Sequence, residues 1–256
     1  MTFKKLLVSV VFIFLAILAS AREKEFYSLR VYHLKNARQE QRLDSFLKDA
    51  YLPALHRAGK NAVGVFKNRP AEKDTTILVY VLIPFKSFES IASLEEKLNK
   101  DQVYISNGKN FIDAAYDDLS YEREETILLS AFAGTELNVP MFTTGKKNRV
   151  YELRSYEGPS GKILDNKIDM FTNGGEVALF HRLGFNAIFY GKVIAGSHMP
   201  NMMYMTSFEN QAERDKHWDA FGKDSEWKKL SAEARYQHNV SRIDIFMLYP
   251  TEYSDL

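Results

Sequence analysis

The chain has 256 residues and no cysteine. That excludes disulfides, thiolate nucleophiles, cysteine-ligated metals and a lipid-modified cysteine near the N-terminus. Neither sign of charge is in excess, with 34 Lys and Arg against 33 Asp and Glu. Long basic runs are missing too, so a nucleic-acid partner is not expected. The chain has no His-Glu-x-x-His spacing and no Gly-x-Ser-x-Gly elbow, and Gly174-Gly175 lacks the flanks of a phosphate loop. No metal is expected, and the residues themselves call for no cofactor. There is no Pro/Gly/Ser-rich linker, and long apolar runs are confined to one, Leu6 to Leu18.

That run follows Lys4 and Lys5 and precedes Ala19-Ser20-Ala21, an A-x-A cleavage site. Residues 1–21 therefore read as a secretory signal peptide, with a periplasmic or extracellular destination expected. The run falls short of the roughly 20 residues a transmembrane helix needs. No stable membrane insertion is expected after cleavage, an uncleaved anchor being the alternative. The mature chain would keep 235 residues, 32 of them basic and 33 acidic. Of the 18 Phe, 15 lie beyond residue 21, and with the 14 Tyr they can fill a core without covalent staples.

The chain repeats itself. Tyr27-Ser28-Leu29-Arg30-Val31-Tyr32 returns 124 residues later as Tyr151-Glu152-Leu153-Arg154-Ser155-Tyr156. His56-Arg57-Ala58-Gly59 returns as His181-Arg182-Leu183-Gly184, and Lys100-Asp101 as Lys223-Asp224, each followed by an aromatic residue, Tyr104 or Trp227. Three collinear matches mark two copies of one folding unit. The patterns predict strands at 26–34, 62–67, 75–84 and 125–132. Between them a helix carries Leu43 to Ala54, kinked or ended by Pro53, a second runs from Phe88 to Leu98, and a short one covers 109–116. The second half repeats the order with strands at 149–156, 185–194, 202–208 and 241–249. Its first helical region, 162–182, is broken at Asn173-Gly174-Gly175, and two more helices follow at 211–221 and 226–235.

Each half thus reads β-α-β-β-α-β, a ferredoxin-like unit with both helices on one face of an antiparallel sheet. The fold class is α+β: two tandem units, 22–134 and 148–256, closing a barrel-like space between their sheets. Built within one chain, the barrel allows a monomer, while exposed edge strands would favour a homodimer.

The second half, with Tyr151 to Glu157, His181-Arg182-Leu183-Gly184-Phe185, Met203-Tyr204 and the Trp218 to Trp227 segment, resembles a NIPSNAP domain over roughly 100 residues. The first half resembles a more divergent copy. The resemblance implies the dimeric α+β barrel fold, whose members include cofactor-free monooxygenases, chlorite dismutase-like proteins and haem-degrading enzymes. It implies no particular reaction.

Alternation along a strand puts Glu152, Arg154 and Tyr156 on one face, as it does Arg30 and Tyr32. If the leucines face the helices, these Arg-Tyr pairs border the inter-sheet space, where guanidinium and phenol suit a planar anion. Arg30, Tyr32, Glu152, Arg154, Tyr156 and Tyr204 are therefore the candidate ligand contacts, for a small apolar or aromatic acid. The competing reading is structural: Glu152 pairs with Arg154 to satisfy a buried charge. His181 and Tyr156 are candidates for catalysis in the alternative reading, a monooxygenase or haem-handling enzyme; the bland reading makes His181-Arg182 a helix end closed by Gly184. His198 reads as a loop residue and His217 as half exposed, and the methionines around Tyr204 as core or pocket lining. A third reading is a non-catalytic interaction or self-assembly protein with its cavity packed shut.

Overall fold

The computed structural model describes residues 24–69 and 76–256; the signal-peptide expectation for 1–21 lies outside them. Eight strands, β1 (Phe26–Leu34), β2 (Gly64–Asn68), β3 (Ile77–Phe85), β4 (Arg123–Ala131), β5 (Val150–Glu157), β6 (Asn186–Ala195), β7 (Asn201–Phe208) and β8 (Arg242–Pro250), close into a barrel in the order β1-β3-β2-β8-β5-β7-β6-β4. Each half contributes the ferredoxin-like order, β4-β1-β3-β2 and β8-β5-β7-β6, with antiparallel seams at β2 with β8 and β4 with β6. Closure leaves none of these strands with a free edge, so the edge argument for a homodimer falls away.

Helices α1 (Ala37–Phe46), α2 (Leu52–Arg57), α3 (Phe88–Lys100) and α4 (Gln102–Ile112) belong to the first half, and α5 (Gly161–Phe171), α6 (Glu176–Arg182), α7 (Gln211–Lys223) and α8 (Ser225–Ser231) to the second. Pro53 neither ends nor sharply breaks its helix. A π-helical segment, Leu47–Tyr51, joins α1 to α2 and places Pro53 in the first turn of α2, where a missing N–H costs nothing. The break between α5 and α6 falls at the predicted glycines, with Gly175 at a φ of 95°.

The other two repeated motifs are helix fasteners. Gly59 and Gly184 take φ values of 81° and 75°, ending α2 and α6 in the left-handed conformation. Arg57 pairs with Asp101 at 2.6 Å and Arg182 with Asp224 at 2.9 Å. Both aspartates also cap the next helix, accepting from the backbone N–H groups of Val103 and Tyr104 in one copy and of Glu226 and Trp227 in the other.

Strand parity sorts the core into layers. Tyr27, Leu29 and Val31, with Tyr151 and Leu153, point into the barrel and meet Phe66, Leu82, Leu129, Met203, Met205 and Leu248. The opposite faces pack under the helices, Tyr32 with Leu43 and Phe46 in one half and Tyr156 with Phe171 and Phe180 in the other. The leucines therefore face the barrel, contrary to the condition on which the candidate contacts rested. A closed barrel admits compact apolar filler, while the sheet-to-helix layer has a margin where long charged side chains reach solvent.

One end of the barrel is shut. Leu137 and Phe142, in the segment between the halves, pack on the interior cluster, and Leu256 lies there at 2% exposure. Burying a leucine so completely is worth roughly 1.5–3 kcal/mol. Thr251, Ser254 and Asp255 fasten this plug to the backbone of Val63 and Val65.

Candidate functional site

Polar groups are gathered in two places. The first is the layer under α7, where the sequence-predicted residues Glu152, Arg154, Tyr156 and Tyr204 do come together, though outside the inter-sheet space. Glu152 is fully buried, and its Oε2 accepts from Arg214 Nε at 2.6 Å and Trp218 Nε1 at 2.9 Å. Its Oε1 lies 3.1 Å from Arg154 Nε, out of line for a hydrogen bond. Arg154 Nη1 donates to the Tyr204 hydroxyl at 3.2 Å, and that hydroxyl is 3.1 Å from the hydroxyl of Tyr156. The Arg154 guanidinium also stacks on Trp218, 4.4 Å from the ring centroid. Burial pushes both phenols above their ordinary range, with Arg154 opposing it. They stay protonated and serve as hydrogen-bonding struts. Phe171, Phe180 and Tyr190 pack against Tyr204. The cluster fastens α7 to β5 and β7, so the structural reading of Glu152 and Arg154 holds.

Arg30 and Tyr32 occupy the corresponding layer of the first half. Arg30 Nη1 lies 3.3 Å from Glu124 Oε1 and its guanidinium 5.6 Å from the ring of Tyr51, while Tyr32 packs on Phe111 and Tyr121. Val81 lies opposite Arg30 where Tyr204 lies opposite Arg154, so that phenol has no counterpart here, and the Arg30 guanidinium meets the phenols of Tyr32 and Tyr51 instead. His181 is exposed in the last turn of α6 and takes no part in the network around Tyr156. The two candidates for catalysis, His181 and Tyr156, are not brought together.

The second place is the open end of the barrel. A cavity of about 170 Å³ runs into it, opposite the Leu256 plug. Its walls are apolar: Leu29 and Val31 of β1, Leu78 and Tyr80 of β3, Ile127 of β4, Leu153 of β5, Met203 of β7 and Phe246 of β8. These are the inward positions of their strands, an apolar funnel made by alternation. At its throat Ser155 and Asn201 are both buried; Asn201 Nδ2 donates to Ser155 Oγ at 2.9 Å, leaving one amide N–H uncommitted. Around the rim stand two histidine–carboxylate pairs. His33 Nε2 is 2.5 Å from Glu125 Oε1, and His198 Nδ1 is 3.0 Å from Glu157 Oε1. His33, Glu125 and His198 line the cavity, with Asp244, which is tied to Arg242.

The loop between β6 and β7 supplies His198, whose φ of 61° is unusual for a residue with a Cβ, followed by a cis peptide bond between Met199 and Pro200. His198 is a loop residue as predicted, but one bound to the rim. Of the methionines, Met203 lines the cavity, Met205 lies deeper in the barrel and Met202 packs under the helices. His33, Glu125, Ser155, Asn201 and His198 were not among the predicted contacts; the signal for them was inward parity with Leu29 and Leu153, once those faces are known to point inside.

Clefts of about 260 and 370 Å³ on the outer surface are larger but shallow. Their arginines are already paired, Arg38 and Arg42 with Asp118, and Arg182 with Asp224 and Glu226. Among the described residues no group of three or more His, Asp or Glu side chains is placed to hold a metal, and no helix is long and apolar enough to cross a membrane. Haem does not fit. The barrel cavity is below the roughly 300–1,000 Å³ of pockets for drug-sized molecules, His181 is on the outer surface, and aromatic rings fill the layer beside Tyr156.

Residues 151–255 match the NIPSNAP family model. A Fusobacterium nucleatum protein provisionally named a monooxygenase superposes with a TM-score of 0.57 at 10% identity, over 90% of this chain and 93% of that one. A Lactobacillus acidophilus protein of the same provisional name gives 0.55 at 8% identity, over 89% and 94%. An anthrone oxidase-like protein gives 0.51 at 12%, over 91% and 93%. At such identities the likeness shows the fold: a whole chain built as two fused α+β units. No curated protein matches the chain.

Proposed function

With residues 151–255 a NIPSNAP domain set in an intramolecular α+β barrel, we propose that this protein, exported by its N-terminal segment, binds a small apolar or single-ring molecule in the open end of that barrel. One observation carries the reading: a blind cavity of about 170 Å³ with apolar walls and a few polar groups gathered at its throat and rim. The size is telling, because an apolar cavity of about 150 Å³ in another protein accommodates benzene. Convergent polar groups at one end of an apolar pocket are what orient a ligand.

The ligand class differs from the acid expected of Arg30 and Arg154. Both guanidiniums lie on the far face of their strands, and the lining holds Glu125 and Asp244 but neither lysine nor arginine. A neutral or cationic head group suits this rim, and a carboxylate would meet like charge. The fit of the cavity, with its throat amide and paired histidines, favours binding over the self-assembly alternative.

Methyl NMR tests the proposal. On titration with neutral single-ring compounds such as phenol and benzamide, the Met203 methyl resonance is expected to shift saturably while that of Met202 stays still. Unchanged Met203 throughout such a panel, or equal shifts at both methyls, contradicts the site.

A further inference from the structure

Each histidine at the rim faces a glutamate, His33 in a hydrogen bond and His198 in an ion-pair contact, and a binding site alone has no need of that. An ionised carboxylate only accepts hydrogen bonds, so Glu125 fixes the proton of His33 on Nε2 and leaves Nδ1 as a lone pair. Glu157 Oε1 lies 3.0 Å from Nδ1 of His198, out of line for a hydrogen bond, and leaves Nε2 free. Neither free nitrogen has a hydrogen-bond partner among the described residues. Both histidines line one cavity, at 33% and 57% side-chain exposure. His33 rises from β1 and Glu157, which holds His198, from β5; these strands lie four places apart either way round the barrel. Beneath them Asn201 keeps an uncommitted amide N–H, and the Tyr80 phenol belongs to the wall.

A base held by a carboxylate, a second imidazole beside a carboxylate across the mouth and a neutral donor at the throat make a proton-transfer constellation. We infer that the barrel mouth catalyses proton abstraction and return at the carbon beside the carbonyl of a small neutral ring ketone or aldehyde. The imidazole of His33 takes the proton from that carbon through Nδ1. The C–H electron pair becomes the new C–C π bond, and the carbonyl π pair moves onto oxygen as an enolate, which receives a hydrogen bond from the Asn201 amide. The imidazolium then returns a proton to the carbon, or His198, protonated from solvent, supplies one from the other side. Atoms and electrons balance within substrate, side chains and water, without oxidant or metal. Burial and the nearby Glu125 hold the Tyr80 phenol above its ordinary range, which suits it as a second donor to the oxygen.

The inference rests on the binding proposed above, and one experiment separates the two. The protein is mixed in D2O with cyclohexanone, a neutral single-ring ketone whose α-protons exchange slowly in buffer. Exchange is followed by proton NMR and binding by the Met203 methyl. The expected result is saturable exchange catalysis at the binding constant read from Met203. His33→Gln should lower the exchange rate by about 10²-fold or more, with affinity kept within about threefold. Glu125→Gln, which acts through His33, should lower the rate less and shift its pH profile. Circular dichroism confirms that each variant is folded, and His198→Gln, on a loop, serves as the second variant. Bound cyclohexanone exchanging at the buffer rate overturns the inference and leaves the binding site standing. Catalysis undiminished in both histidine variants overturns it as well. Failure to bind overturns both.

Discussion

His33 and Glu157 stand at the same position of the two halves, 124 residues apart, and each is one member of a histidine–glutamate pair with the roles exchanged. In the first half the strand supplies the imidazole and β4 the carboxylate; in the second the strand supplies the carboxylate and a loop the imidazole. The register makes Asp244 the counterpart of Glu125, since the β1–β4 pairing of Val31 with Glu125 matches the β5–β8 pairing of Ser155 with Asp244. Repetition has put the same chemistry on both sides of one opening.

Filling the cavity should abolish binding without unfolding the barrel. Leu78→Trp, at the mouth and only half buried, is expected to remove the Met203 response to single-ring compounds while changing the thermal midpoint by no more than a few degrees. A retained response would place the ligand elsewhere.

Arg154 holds structure together under α7. Arg154→Ala removes a donor from Tyr204 and one of two cations from the buried Glu152, and should cost about 2–4 kcal/mol in denaturant titrations. The folded fraction should bind as before. A stable variant that has lost ligand would return the site to Arg154.

Glu209 makes the segment between the halves acid-sensitive. Burial raises its pKa, but backbone and hydroxyl hydrogen bonds from Thr143 and Thr144 outweigh that and hold it down at about 2. A carboxyl lowered on folding stabilises fully above its ordinary range near 4.5 and loses that contribution as the pH falls towards 2. The difference in denaturation midpoint between wild type and Glu209→Gln should be constant at neutral pH and shrink across that window. A difference independent of pH would mean that the clamp is uncharged.

The repeated fasteners should rank alike in both halves. Asp101→Ala and Asp224→Ala lose a helix cap together with an ion pair, whereas Arg57→Ala and Arg182→Ala lose only an exposed pair. Thermal unfolding should show the aspartate variants lower in each copy; equal midpoints would show that the caps contribute nothing.

Much of the fold was legible because the duplication doubled every signal. The strand at 26–34, the glycine break after α5 and the left-handed glycines 59 and 184 follow from local pattern and turn chemistry. Which face of β1 and β5 lies inside did not. Alternation tells which residues share a face, and here both faces are buried, Leu29 and Leu153 on one and Tyr32 and Tyr156 on the other. Choosing the wrong face moved the expected contacts from the barrel to the helix layer while keeping Glu152, Arg154 and Tyr156 correctly together. The rim pairs were beyond local reading, since His33 and Glu125 lie 92 residues apart and meet only through the β1–β4 pairing.

The most direct measurement is a crystal structure of the protein purified from its own host, read for density in the barrel mouth. A small ordered molecule is expected between Leu29, Leu153 and Met203, with its polar end at Asn201 and the rim histidines. Density beside Arg154 and Tyr204 instead, or a mouth closed by its own side chains, would contradict it.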